Sequence, residues 1–420
     1  MKFYLVGIKG SGMSALAHLL LDDGYQVEGS DVDKYIFTEN RLKQRKVKIH
    51  SLNNKDYLKN SFVIIGHDFI DDYLINDLNK KGIPFLEYHK FLSFYINKNN
   101  LISVCGSHGK TTLVGLLSQA SNNCSFLRGD GYGKKTNKED FFFLESCEYK
   151  DHFLEYSPSF ICITNIDYDH VDYFKKERDY ISSFNKFSNK SNKGLIDYDD
   201  SKKINNPYYF TYGINKNADF YADDYISDEH GIRGKIYFQN EFIIDFNYTN
   251  LYGIHLIKDI VCVVAFYYLH HYDIELVISK IKQFKMADRR FNIEKYNNVI
   301  LIDDYAHHPK QIEMNYSNVK TIYANYIHIG IFKPDRKSRL EHFLLDIKCV
   351  LSKFDYAFVT NFNDKKHIDL IKKLVDKNII YLDDPSKIIN YLDKNKKYTF
   401  SLMSSKNLDE VKEIIKSHFK

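Results

Sequence analysis

The stretch Leu101-Ile102-Ser103-Val104-Cys105-Gly106-Ser107-His108-Gly109-Lys110-Thr111-Thr112 decides the fold class. Five strand-forming, mostly apolar residues run into a glycine loop, and a helical stretch opens at Lys110. That order is the context a phosphate-binding loop requires, because glycines let backbone N–H groups approach phosphates and the helix N-terminus adds about half a positive charge. Amides of Gly106, Ser107, His108 and Gly109 would hold the β- and γ-phosphates of ATP. Lys110 would neutralise their charge, and Thr111, with Thr112 behind it, would offer a hydroxyl to Mg²⁺. Val104 stands where the longer form of this loop has its first glycine, so the loop is a shortened variant.

Upstream, residues 2–6 form a second strand-like run, followed by Gly7-Ile8-Lys9-Gly10-Ser11-Gly12 and a helical pattern from Met13 and Ser14. Gly10, Ser11, Gly12, Met13 and Ser14 are candidates to bind a diphosphate. Asp31, closing the next strand, is a candidate for a sugar or base hydroxyl. The GxxGxG spacing is not the GxGxxG of nicotinamide-binding loops, and a plain tight turn remains the other reading. Strands at 25–28, 62–66 and 83–86, with a helix over 71–81, complete a first unit.

Downstream, strands are expected at 141–145 and 160–164. A Lys/Asn/Asp-rich surface excursion follows at 189–206, then short strands over 208–248 and a buried helix at 254–268. Strands at 299–302, 328–332, 356–359, 379–382 and 398–402 then alternate with helical segments at 311–319, 340–351, 368–375, 386–392 and 408–419. The predicted fold is α/β in three domains. These are an N-terminal Rossmann-like parallel sheet (1–98), a central P-loop ATPase-type α/β domain (99–287) and a C-terminal Rossmann-like α/β domain (288–420).

Composition narrows the class further. With 44% hydrophobic and 27% charged residues the chain is not a disordered one. The net charge of +4, from 59 basic and 55 acidic residues, gives no electrostatic case for a nucleic acid or a membrane surface. No run approaches the ~18 apolar residues of a membrane span. The six cysteines (105, 124, 147, 162, 262, 349) are scattered without zinc spacing and read as reduced thiols. The first residues run straight into a strand and a glycine loop, so a cytoplasmic location is expected. Only nine of the 59 basic residues are Arg, and four of them form two tight groups: Arg289 with Arg290, and Arg336 with Arg339.

Further motifs sit at the carboxyl ends of predicted strands, where open α/β sheets place ligands. Glu145 ends one strand, and Asn165-Ile166-Asp167-Tyr168-Asp169-His170 follows another. With Thr111, Glu145 and His170 make a candidate Mg²⁺ shell; taken alone, His170 also reads as an ordinary loop residue. Asp303-Asp304-Tyr305-Ala306-His307-His308-Pro309 is dense in functional groups, although Asp304 and Pro309 also suit a helix start. Lys333-Pro334-Asp335-Arg336-Lys337-Ser338-Arg339 carries the second Arg group. Arg forks suit carboxylates and phosphates, and a solvated basic helix start is the alternative.

In this order the pieces resemble the Mur ligases of peptidoglycan synthesis. The family's G-T-H-G-K-T-T is residues 106–112, E-A-C-E-Y-R-x-H-F is 145–153 and T-N-I-D-x-D-H-x-D-Y-F is 164–174. R-R-F is 289–291, D-D-Y-A-H-H-P is 303–309, and G-I-G-G-x-G-M-S is 7–14 with Lys9 for a glycine. The resemblance implies a UDP-sugar on the first domain, ATP on the central one, and an amino acid with part of the nucleotide on the third. The implied reaction is ATP-dependent amide formation between the lactyl carboxylate of UDP-N-acetylmuramate and L-alanine, through an acyl phosphate. Lys110, His170, Arg289, His307, Arg336 and Arg339 become catalytic candidates. Asp304 and Arg289 fall to the nucleotide, Thr111, Glu145 and His170 to Mg²⁺, and Tyr305, His307, Arg336 and Arg339 to the amino acid. A monomer or weak homo-oligomer is expected.

Three departures stand out. The family's N-x-x-N pair is replaced by Leu256 and Asp259, its Q-P-H reads Lys333-Pro334-Asp335, and its G-A-G-D reads Ser404-Ser405-Lys406-Asn407. They leave two other readings open: a related ligase taking another acid or amino acid, and a nucleotide-binding relative without catalysis.

Overall fold

A computed structural model describes residues 1–52, 60–96, 100–361 and 368–420. Three sheets follow one another along the chain. The first contains β1 (Lys2–Val6), β2 (Gln26–Asp31), β3 (Lys48–Ser51), β4 (Phe62–Ile65) and β5 (Phe85–Glu87) in the order 3-2-1-4-5, all parallel. Its helices are α1 (Ser11–Asp22), α2 (Glu39–Gln44), α3 (Asp72–Lys80) and α4 (Tyr88–Tyr95). The boundary expected at 98/99 falls within 97–99, outside the described residues.

The second sheet has ten strands: β6 (Leu101–Cys105), β7 (Cys124–Leu127), β8 (Gly133–Lys134), β9 (Phe141–Glu145), β10 (Phe160–Ile163), β11 (Gly194–Asp197), β12 (Tyr209–Gly213), β13 (Phe220–Asp228), β14 (Gly231–Phe238) and β15 (Glu241–Tyr248). Their order is 15-14-13-12-11-10-6-9-7-8. β6, β9 and β10 are apolar and almost wholly buried, as suits parallel strands covered on both faces. α5 (Lys110–Ala120), α6 (Glu177–Ser188), α7 (Ile254–Leu269) and α8 (Ile274–Ile281) belong to this unit.

The third sheet comprises β16 (Asn292–Tyr296), β17 (Val299–Asp304), β18 (Ile327–Phe332), β19 (Tyr356–Thr360), β20 (Ile379–Leu382) and β21 (Tyr398–Met403) in the order 16-17-21-18-19-20, parallel except for β16. The insertion of β21 between β17 and β18 brings three carboxyl-end turns side by side. α9 (Pro309–Ile322), α10 (Lys337–His342), α11 (Leu344–Leu351), α12 (Ile368–Lys372) and α13 (Asp409–His418) complete it.

Four expectations are corrected. The segment 189–206 is not a surface excursion throughout, because β11 lies inside the large sheet between β10 and β12 with all four residues buried. Its two apolar residues, Leu195 and Ile196, are too few to signal a strand among Lys and Asn; burial by neighbours on both sides supplies the rest. Over 208–248 the last three strands are long, eight or nine residues, and form an antiparallel meander. The single helix expected over 340–351 breaks at Phe343 into α10 and α11, and Pro385 opens a 3-10 turn rather than an α-helix over 386–392.

The central sheet packs on both sides. α5, α7 and α8 cover one face through Leu113, Leu117, Val263, Phe266 and Ile281. A second cluster is continuous with the N-terminal domain, joining Leu16 and Leu19 of α1 to Phe142, Phe153 and Phe184. At this junction a Cβ on Gly133 would come within 2.4 Å of the Ala15 carbonyl oxygen, so backbone meets backbone there.

Candidate active site

The phosphate-binding loop connects β6 to α5, with β9 and β10 on either side of β6. Gly106 has φ +138°, and a Cβ there would lie 2.1 Å from Thr164 Oγ1, so only glycine fits. The turn after β10 fixes the loop. Ser107 N donates to the Asn165 carbonyl (3.1 Å), His108 N to Asn165 Oδ1 (2.9 Å), and Thr164 Oγ1 to the His108 carbonyl (2.6 Å). Ser107 Oγ donates to the Asp167 carbonyl (2.6 Å) and accepts from Asp167 N (2.8 Å).

Lys110 points back under the loop, donating to the Gly106 carbonyl and pairing with Glu148 at 2.9 Å. Burial disfavours its charge, but the Glu148 carboxylate outweighs burial and holds the ammonium above its ordinary range. The side chain of Glu148 is 1% exposed. Burial pushes its carboxyl up, and Lys110 and His170 bring it below the ordinary value. Its other oxygen lies 3.1 Å from His170 Nε2, while His170 Nδ1 is buried without a partner. His170 sits at φ +54°, in the turn after β10.

A cavity of about 270 Å³ opens above these groups where the three domains meet. Ser11 and Phe37 enter it from the first domain. Ser107, His108, Gly109, Lys110, Thr111, Glu145, Glu148, Asp169 and His170 come from the second, and Arg289, Arg290, Tyr305, His307, Asp335, Arg336 and Arg339 from the third. Most of the predicted residues are thus brought together across almost 330 positions of sequence. Gly10, Gly12, Met13, Ser14, Asp31, Gly106, Thr112 and Asp304 do not line it. Asp31 accepts from Lys9 N and Val32 N (both 2.7 Å), and Ser14 Oγ donates to the Gly131 carbonyl (3.1 Å). Asp304 accepts from Asn315 (2.8 Å), and burial raises its carboxyl.

The arginine pair divides its work. Arg289 is turned into the C-terminal domain, donating to the carbonyls of Ser404 (2.6 Å), Ser405 (3.2 Å) and Lys406 (2.7 Å). Arg290 stacks over Tyr305 at 4.7 Å and donates to Thr111 Oγ1 at 3.3 Å. The residue that reaches the phosphate-binding loop is therefore Arg290, whereas the family resemblance implies Arg289. Glu148 and Asp169 were likewise missed, though both lie inside the quoted motifs. The signal was present as neighbouring acids, but the side each one faces depends on turn geometry.

One contact of His307 assigns its proton. Its Nδ1 lies 2.8 Å from the Tyr305 carbonyl, which can only accept, so Nδ1 carries the proton and Nε2 the lone pair. Burial, reinforced by Arg339, lowers the imidazole to about 4. It is neutral at physiological pH and can take a proton.

The donor set also suits Mg²⁺. Among the described residues no three His, Cys, Asp or Glu side chains stand close enough to form a metal site alone. Mg²⁺ is usually held by one or two carboxylates plus substrate phosphates and water, however. Thr111 and Glu145 supply hard oxygens to the cavity wall, and Glu148 and His170, paired with each other there, complete that lining.

Sequence comparison agrees with this geometry. Residues 2–99 match the Mur ligase family, catalytic domain, and residues 132–267 match the Mur ligase middle domain. A UDP-N-acetylmuramate–L-alanine ligase from Lactiplantibacillus plantarum is 34% identical over 407 residues, covering 93% of each chain. The chain belongs to the Mur ligase family. Among solved structures, UDP-N-acetylmuramate-alanine ligase from Thermotoga maritima superimposes with TM-score 0.84 at 20% identity, over 100% of this chain and 99% of that one. A murein peptide ligase from Psychrobacter arcticus gives TM-score 0.71 at 17% identity, with the same coverage. Both extend the Mur ligase likeness of fold across all three domains. Among the described residues of this Mur ligase, no helix is long and apolar enough to cross a membrane.

Asp335, Leu256 and Asp259, among the departures noted in sequence, fall in three places. Asp335 lines the cavity at the phosphate-binding loop. Leu256 lines a separate cavity of about 490 Å³ with Tyr252, Phe284, Phe291 and Tyr323, between the central and C-terminal domains. Asp259 is buried near Asp197, and burial raises its carboxyl well above the ordinary range.

Proposed function

We propose that this Mur ligase joins L-alanine to the lactyl carboxylate of UDP-N-acetylmuramate, with ATP converted to ADP and phosphate. The observation that carries this reading is the single cavity shared by the phosphate-binding loop, the Glu145–Glu148 turn and the C-terminal arginines. It occurs in a chain 34% identical to a ligase of that name. The N-terminal domain would present the UDP-sugar past Ser11, and the cytoplasm would supply both nucleotides.

In the first step a carboxylate oxygen bonds to the γ-phosphorus, the β–γ bridge breaks, and ADP leaves. Such transfer depends mainly on positioning and charge neutralisation. Lys110, located by Glu148, neutralises the transferred group, and Arg290 adds a second positive charge beside Thr111. Thr111, Glu145, Glu148 and His170 would hold Mg²⁺, which when bound neutralises phosphate charge. In the second step the amino nitrogen bonds to the acyl carbon and the carbon–oxygen bond to phosphate breaks. His307 Nε2 accepts the amine proton, and enclosure between domains keeps water from the acyl phosphate.

The test is phosphate release with UDP-N-acetylmuramate, Mg-ATP and each amino acid in turn. Release that requires both UDP-N-acetylmuramate and L-alanine is expected. Release with another amino acid only, or nucleotide binding without any release, overturns the assignment.

A further inference from the structure

Two of the three departures from the family pattern touch each other. Ser405 Oγ donates to Asp335 Oδ2 at 3.1 Å, and Ser404 Oγ donates to the Lys333 carbonyl at 2.8 Å. The turn after β18 and the turn after β21 are therefore tied by side chains that the family's Q-P-H and G-A-G-D pattern does not supply. Asp335 also accepts from Arg336 N at 2.7 Å and from Arg339 Nη1 at 2.9 and 2.8 Å.

Arg339 is thereby committed. Its Nε and Nη2 each donate to Asp169 of the central domain at 3.1 Å, a bidentate pair across the domain boundary. Every nitrogen of its guanidinium faces a protein carboxylate, and its side chain is 7% exposed between partners of 5% and 13%. Two carboxylates around one guanidinium leave a net negative charge, so a third carboxylate has no attraction to that point. Arg336 differs. Its side chain is 44% exposed, stacked on Tyr149 at 5.2 Å, with Asp172 no closer than 3.9 Å. A long, exposed pair of that kind is weak and readily exchanged.

We propose that Asp335, bracketed by Ser405, is a positioning residue that commits Arg339 to clamping the C-terminal domain onto Asp169, which leaves Arg336, of the two arginines that the family resemblance gives to the amino acid, to receive its carboxylate. The inference rests on the ligase reading for its second half and on the contacts alone for its first.

The experiment uses the full chain in two arms. In the kinetic arm, Arg336→Ala raises KM for L-alanine at least ~30-fold with kcat within about threefold, as expected for lost ground-state binding. Arg339→Ala and Asp335→Asn lower kcat about tenfold or more and leave KM for L-alanine within about threefold. In the scattering arm, Asp335→Asn and Asp169→Asn increase the radius of gyration of the unliganded protein, Ser405→Ala does so to a smaller degree, and Arg336→Ala does not. An Arg339→Ala variant that raises KM for L-alanine while Arg336→Ala leaves it unchanged overturns the assignment of the receptor. An unchanged radius in Asp335→Asn, Asp169→Asn and Ser405→Ala overturns the clamp. A wild-type protein that releases no phosphate with any amino acid sinks the ligase reading and the receptor with it, while the scattering arm still decides the clamp. Ser405→Ala, the mildest change, keeps the test open should a charge variant fold poorly.

Discussion

Between the N-terminal and central domains one hydrophobic cluster runs from Leu5 and Leu16 to Phe142 and Phe184. Among the described residues, every cluster of the C-terminal domain draws only on residues from Phe291 onward. Around the phosphate-binding loop the C-terminal domain instead meets the central one through charged and polar side chains: Arg339 with Asp169, Lys310 with Asp167, Arg336 near Asp172, and Arg290 on Thr111. Apolar contact is non-directional and is lost in proportion to the area exposed, so it suits two bodies that stay together. Ion pairs can be traded for the charges of phosphates and carboxylates, so they suit a boundary that must admit and release such groups. The phosphate-binding loop faces this second, ionic boundary.

The largest effect expected from breaking that boundary falls on turnover. Lys110→Ala should lower kcat by about 10³-fold or more, the order lost with a single preorganised electrostatic group at a transition state. Because it leaves Glu148 buried without its main partner, the double variant Lys110→Ala/Glu148→Gln is the folding control. Thermal melts should show it native and equally inactive. Turnover within tenfold of wild type in either variant would remove Lys110 from the phosphate site.

Breaking the apolar boundary should act on stability. Gly133→Val forces a side chain against the Ala15 carbonyl oxygen, where backbone cannot yield as a flexible side chain would. Overpacking of this kind costs about 1–3 kcal/mol. Urea titration should show that loss while KM for ATP stays within about twofold, since the loop lies on the other boundary. A variant as stable as wild type would mean the two domains are not locked at this point.

Acid sharpens the comparison, because the apolar boundary contains imidazoles. His89 stacks on His152 at 3.8 Å and lies 2.8 Å from the Tyr156 hydroxyl. Burial, and then His152, lowers His89 to about 2; burial, and then His67, lowers His152 to about 4. Both stay neutral in the folded protein while the unfolded chain takes up protons below about pH 6.5. The unfolded state thus binds more protons between pH 6.5 and about 4, and stability falls as pH falls through that window. Burial pushes the carboxyls of Asp169 and Asp335 up, but both are held below their ordinary range with Arg339 beside them, so those pairs persist there. His307 adds an acid sensitivity of the same sign on the ionic side, so a variant rather than the wild-type profile is the test. His89→Gln should shrink the stability difference between pH 7 and pH 5 by about 1–2 kcal/mol; an unchanged difference would deny the stacked pair this role.

How much of this could be read from sequence follows the same division. The loop at 106–112 and strands β6, β9 and β10 were legible because continuous apolar runs and glycine placement are local signals. β11 was not, because its burial comes from neighbours contributed by distant segments. The motifs located the site, but the residues facing it were decided by turns with positive φ at Lys150, His170 and Arg289, so Glu148, Asp169 and Arg290 emerged only from the structure. Asp335 and Ser405 are 70 positions apart, and what joins them is the insertion of β21 beside β18. Read singly, each looked like lost function; in contact, they form one bracket.

The smallest expected effect separates buried from exposed charge within the ionic boundary. Lys310 crosses from α9 to Asp167, but its side chain is 63% exposed, whereas that of Arg339 is 7% exposed. A pair with one partner largely in water gains little Coulomb energy and is screened by salt, contributing about 0–1 kcal/mol. Arg339 leaves two buried carboxylates unpaired when truncated, which costs about 3–5 kcal/mol. Lys310→Ala should therefore change the unfolding free energy by less than about 0.5 kcal/mol at physiological ionic strength, and its effect should vanish at 1 M salt, where screening acts within about 3 Å. Arg339→Ala should keep most of its effect there. If the two variants were equally costly, or equally salt-sensitive, the boundary would be a diffuse field of surface charge and not a clamp on one buried guanidinium.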